Sequence, residues 1–110
     1  MSSHHCNSTM NGKPVKVMAG FDRPLDGFFL VVEDADGTFA ADDYIYSNLD
    51  DPLLLRWGGL PPELDYFVSK LKELRIEVPQ RLLDEVKADG VKKAGNRTVR
   101  YDDAGKMSER

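Results

Sequence analysis

The hydrophobic pattern changes period about halfway along this chain, and that switch narrows the fold more than any other feature. In the first half, apolar residues come in short β-branched and aromatic runs. Val15, Val17 and Met18 lead into Gly20-Phe21; Phe28-Phe29-Leu30-Val31-Val32 is unbroken; Tyr44-Ile45-Tyr46 follows. Runs of this kind suit strands, and the second suits one covered on both faces. Asp22-Arg23-Pro24-Leu25-Asp26-Gly27 and Asp34-Ala35-Asp36-Gly37 supply turn chemistry between them, and Ser47-Asn48 ends the third. Thr38 to Asp43 either extends this hairpin or bulges from it. Short connections between consecutive strands predict an antiparallel meander.

The second half is helical in spacing. Asp51-Pro52 reads as an N-cap with proline at the first helical position, and Gly58-Gly59 would end the single turn Leu53 to Trp57. Pro61-Pro62 then opens a longer helix. Its apolar residues Leu64, Phe67, Val68, Leu71 and Leu74 form one stripe, with Lys70, Lys72, Glu73 and Arg75 on the other faces. A further helix begins at Pro79, turns Leu82, Leu83 and Val86 inward and stops at Gly90. Arg97-Thr98-Val99-Arg100-Tyr101 alternates and returns as an edge strand with both arginines in solvent. The expected fold is α+β, an antiparallel sheet of three to four strands packed against two helices in the order β-β-β-α-α-β.

A length of 110 residues accommodates one domain, expected over 13–102. Residues 1–12 are small and polar and read as a disordered tail or tag, with Met10 as an alternative start; 103–110 reads as a frayed tail. No apolar run approaches the ~20 residues of a bilayer helix, and no leader pattern directs export. The single cysteine excludes an internal disulfide framework, so a cytoplasmic setting is expected.

Enzymatic signatures are mostly missing. Both histidines, His4 and His5, fall in the presumed tail, which would leave the core without a histidine base. Cys6 would likewise lack the structured surroundings that activate a thiol. His4, His5 and Cys6 are consecutive with no second cluster to complete a ligand set, so neither metal nor cofactor is expected. Asp34-Ala35-Asp36-Gly37 places glycine too early for a calcium loop, and Ile45 stands where that loop needs glutamate. Pro61-Pro62 removes the N–H donors that a phosphate at Gly58-Gly59 would require. Catalysis by carboxylates stays open, although no spacing singles out an acid and a base.

The net charge of −4 argues against bulk attraction to polyanions, but it is unevenly distributed. From Phe21 to Asp65 there are 11 acidic residues against Arg23 and Arg56; from Tyr66 to Arg110 there are 11 basic against 8 acidic. Nine of those eleven acids are aspartates, which turns favour for local hydrogen bonds, so the segregation has a structural reading beside the functional one. Tyr44, Tyr46 and Trp57 flank the acidic turn at Asp50 and Asp51, a composition typical of protein–protein contacts. With Asp22 and Arg23 from the neighbouring turn, these seven residues form the expected partner-binding face. The leading expectation is therefore a non-enzymatic interaction module that binds another protein. The alternative is a small-molecule binder or carboxylate-based enzyme with a pocket between sheet and helices. A nucleic-acid edge through Lys92, Lys93, Arg97 and Arg100 requires all four on one face, and a homodimer through an edge strand or a spare helical stripe is open.

Several segments carry a resemblance across roughly Val15 to Tyr101. They are Gly20-Phe21-Asp22-Arg23-Pro24-Leu25 with Gly27-Phe28-Phe29, Tyr46-Ser47-Asn48-Leu49-Asp50-Asp51-Pro52, Gly59 with Pro61-Pro62, Val78-Pro79, and Gly95-Asn96-Arg97. Together the chain resembles a family of small uncharacterised bacterial proteins carried on plasmids or in gene cassettes. The resemblance implies a source among mobile genetic elements and transfers no catalytic or ligand residue.

Overall fold

The computed structural model describes residues 1–35 and 44–109. The expected turn residues Asp36 and Gly37, the Thr38 to Asp43 stretch and the side chain of Tyr44 lie outside that description.

The class is α+β, but the sheet is larger than expected and differently ordered. Six strands, β1 (Ser2–Met10), β2 (Lys13–Asp22), β3 (Gly27–Asp34), β4 (Tyr44–Ser47), β5 (Arg97–Tyr101) and β6 (Met107–Glu109), stand in the order β4-β3-β2-β1-β5-β6. Two helices, α1 (Asp65–Glu73) and α2 (Gln80–Lys92), separate β4 from β5 in sequence. The meander of β2, β3 and β4 is antiparallel as expected, whereas β1 and β5 pair in parallel.

The largest correction concerns the first residues. Ser2–Met10 is a strand in the middle of the sheet, paired to β2 over its whole length and to β5 from Ser2 to Cys6. Its small polar residues tolerate this place because alternate side chains on the inner face either are tiny or find hydrogen-bond partners there. The far end is corrected as well: Met107–Glu109 forms β6 on β5, so β5 is an interior strand.

The core lies between one face of the sheet and the helices. Val15, Val17, Ala19 and Phe21 of β2 and Phe28, Leu30 and Val32 of β3 alternate inward and meet Leu64, Phe67 and Leu71 of the α1 stripe and Leu82 and Val86 of α2. Phe21 and Phe28 pack edge to face, with centroids 5.3 Å apart. Gly90 does not stop α2. It lies within the helix, where an added Cβ would come 2.3 Å from the Phe28 ring, so glycine is what lets the helix settle on β3. The helix ends at Lys93, whose left-handed backbone (φ 55°) closes it. Among the described residues, no helix is long and apolar enough to cross a membrane.

Candidate interaction surface

The chain between β4 and α1 is a tightly capped loop of two 3-10 turns, Asn48–Asp50 and Pro52–Trp57. Ser47 Oγ accepts the Leu49 N–H at 3.3 Å and caps the first turn; Asp51 Oδ1 accepts the Leu53 N–H at 3.0 Å and caps the second. Gly58 and Gly59 close it with positive φ values of 62° and 88°, as the glycine pair suggested. The buried Asn48 amide then donates to the Gly59 carbonyl at 2.9 Å, clamping the two ends of the loop together.

This loop buries Leu54 completely and leaves its neighbours outside. Leu49, Leu53 and Leu55 are 69%, 70% and 74% exposed, and Trp57 is 39% exposed with the Arg56 guanidinium 4.4 Å over its ring. Sequence reasoning named Trp57 and overlooked the leucines, although a signal was present. A single helical turn buries one side, so three consecutive leucines, Leu53-Leu54-Leu55, cannot all face the core.

Asp51 works in a different way from the expected surface acid. It is 8% exposed and its Oδ2 accepts hydroxyl hydrogens from both Tyr46 and Tyr66, each at 2.7 Å. Burial opposes its ionisation, but the two tyrosines and the Leu53 N–H outweigh it and hold the carboxyl below its ordinary value. The same pairing, together with burial, pushes the Tyr66 hydroxyl up to about 12. Lys70 sits 5.6 and 5.8 Å from the two tyrosine rings. Tyr46 and Asp51 therefore anchor the loop, while Asp50 and Trp57 stand exposed on it. Tyr44 enters through the β4 backbone. Asp22 and Arg23 lie in the β2–β3 turn, where Asp22 accepts the Leu25 N–H at 3.1 Å and Arg23 reaches toward Gly95.

A second cluster of polar side chains is buried where a tail was expected. His4 is fully buried on the helix side of β1, with Nε2 2.6 Å from Asp89 Oδ2 and Nδ1 2.8 Å from the Tyr101 hydroxyl. With Asp89 ionised, Nε2–H donates to it, and the Tyr101 hydroxyl satisfies Nδ1 by donating or accepting. Arg97 donates to Asp89 at 2.7 Å, to Glu85 at 2.9 Å and through two nitrogens to both Glu109 oxygens at 2.9 Å. Burial works against the Asp89 charge, yet bonds from His4, Ser2 and Arg97 hold its pKa below the ordinary value. A histidine does therefore stand in the core, contrary to expectation. Its complete burial makes this network a polar lock between β1, α2 and β5. Cys6 likewise has a structured place: it is buried, and burial pushes its thiol up to about 11, away from nucleophilic use at neutral pH.

The four basic residues considered for nucleic acid do not share a face. Arg97 points to the helices and is occupied by three carboxylates, Arg100 lies on the opposite side of the sheet, and Lys93 pairs with Asp26 at the end of α2. None of the protein-family models, curated proteins or solved structures compared with this chain matches it.

Proposed function

We propose that this protein is an interaction module whose contact surface is the capped loop between β4 and α1, with Leu49, Leu53, Leu55 and Trp57 as anchors. One observation carries the reading. Of seven exposed large hydrophobic residues among the described residues, four fall within the nine positions from Leu49 to Trp57. An apolar cluster of that density on a surface otherwise rich in charge marks a place where another molecule excludes water. The capping bonds of Ser47, Asp51 and Asn48 support the reading, because a loop ordered beforehand loses little entropy on binding. Asp50 beside the leucines favours a partner with an apolar groove and a basic rim, which adds a salt-sensitive component to association.

The test uses Leu53→Asp with Leu55→Asp. Both side chains are outside the core, so stability should stay within about 0.5 kcal/mol of wild type. Proteins retained by the wild-type chain from the producing cell should be lost by this variant, and Asp50→Lys should weaken the same proteins most at low salt. An unchanged set of retained proteins from a folded double variant would refute the reading. Sizing wild type and variant in parallel separates a foreign partner from a second copy of the chain.

The small-molecule alternative keeps one observation in its favour. A groove of about 380 Å³ opens where the end of α2 meets β2 and β3, lined by Phe21, Phe28, Leu64, Lys87 and Val91.

A further inference from the structure

The face of the sheet turned away from α1 and α2 carries a second kind of surface. Register brings its side chains into two rows. Arg100 of β5, His5 of β1 and Met18 of β2 stand directly across from one another, and Asn7, Lys16 and Glu33 form the next row. Diagonal neighbours on adjacent strands lie within reach of long side chains, so Lys16 and Arg100 converge on His5 from either side. Together these residues line a cavity of about 350 Å³ that rests on the open sheet. Its size falls at the small end of ligand sites.

Two features distinguish this cluster from ordinary surface charge. Among the described residues, neither Lys16 nor Arg100 has a carboxylate within ion-pair distance, although Arg97 on the same strand as Arg100 holds three. His5, in turn, is oriented: its Nε2 lies 3.2 Å from Ser3 Oγ, and among the described residues its Nδ1 has no hydrogen-bond partner.

We propose that this face binds a single phosphoryl dianion, either inorganic phosphate or a phosphate monoester. Arg100 supplies a planar pair of donors, Lys16 a point charge, and the Asn7 amide a neutral donor; together they match three oxygens better than the two of a carboxylate. Glu33 at the rim disfavours extended polyanions and can accept a hydroxyl hydrogen from the body of an ester. Met18 gives that body an apolar floor. His5 makes the site responsive to pH. Burial, Arg100 and the neighbouring His4 hold its pKa below the ordinary histidine value, with Glu33 opposing them and Lys16 adding positive charge nearby. A bound dianion reverses that balance, so His5 gains a proton as the ligand enters.

The test is NMR titration of the full chain with inorganic phosphate, ribose 5-phosphate, sulfate and a short single-stranded RNA. The expected result is saturable shifts of the His5 ring resonances, with Arg100→Ala or Lys16→Ala weakening phosphate binding roughly tenfold or more. Both side chains are exposed, so the variants should fold, which their spectra show directly. Ribose 5-phosphate binding more tightly than phosphate identifies the ester as the ligand; equal affinity identifies the free ion. Sulfate keeps a fixed charge between about pH 5.5 and 8, so its tighter binding at the lower pH, lost in His5→Ala, reports the histidine alone. Absence of saturation with either phosphate probe overturns the proposal, as does RNA binding more tightly than both with a steep salt dependence.

Discussion

A chain that begins at Met10 is expected to lose cooperative folding altogether. Such a start looks harmless, since Met1–Thr9 carries small and polar residues and no periodicity. In the fold, however, Ser2–Met10 is the strand that joins the β2-β3-β4 meander to the β5-β6 pair. Removing it leaves β2 with an open edge, detaches β5 from the sheet and strips His4 from Asp89 and Tyr101. The remaining β5-β6 hairpin is too small to stand alone in water. Circular dichroism with urea titration provides the measurement. The full chain should unfold in one sigmoidal step, and the truncated chain should show no transition. A truncated chain that unfolds cooperatively near the wild-type midpoint would mean that β1 is not part of the stable structure.

The second large effect concerns Asp89. This carboxylate is fully buried and receives His4, Arg97 and Ser2. Asp89→Ala leaves the His4 N–H facing an empty space and takes one of three carboxylates from Arg97. Breaking a buried pair from one side typically costs about 3–5 kcal/mol. Small domains have only about 5–15 kcal/mol in total, so the variant should be close to unfolding at 37 °C. His4→Leu with Asp89→Leu removes both partners and fills the volume. Arg97 keeps Glu85 and Glu109, and the double variant should be more stable than the sum of the single changes predicts.

The sign of the pH dependence follows from the same contacts. The folded-state pKa of Asp89 lies below its unfolded value near 3.8, so its contribution is fully present above that value. It fades as pH falls through the lower folded value. Wild type should therefore lose stability on acidification below about pH 4 more steeply than Asp89→Leu. Equal acid limbs in the two proteins would show that the Asp89 charge does not support the fold.

The parts of this fold that were legible share one property: their inward positions are strongly apolar and locally spaced. Phe28, Leu30 and Val32 announce β3, and Leu64, Phe67 and Leu71 announce α1, because burial and propensity agree there. β1 is the opposite case. Its inward residues are Ser2, His4 and Cys6, and what makes them buriable lies 85 and 97 positions away in Asp89 and Tyr101. No local window contains that information. Gly90 misled for a related reason, since its role is set by the Phe28 ring across the layer and not by its own helix.

The proposed interaction face was legible only in outline. Asp50 and Trp57 belong to its exposed surface, but Tyr46 and Asp51 are occupied in holding the loop. Charge reversal at Asp51 would thus disturb the loop itself, and Asp50 is the position at which acidity can be tested without unfolding. The exposed leucines Leu49, Leu53 and Leu55 dominate the apolar surface, and the expected single turn over Leu53 to Trp57 assigned none of them to it.

The most direct measurement of the central claim is photocross-linking in the producing cell from a benzophenone side chain placed at Leu55, with the exposed Lys87 on α2 as control. A contact surface on the capped loop predicts a discrete adduct of defined mass from position 55, absent from position 87 and abolished by Leu53→Asp. No adduct from position 55, or the same adducts from both positions, would contradict it.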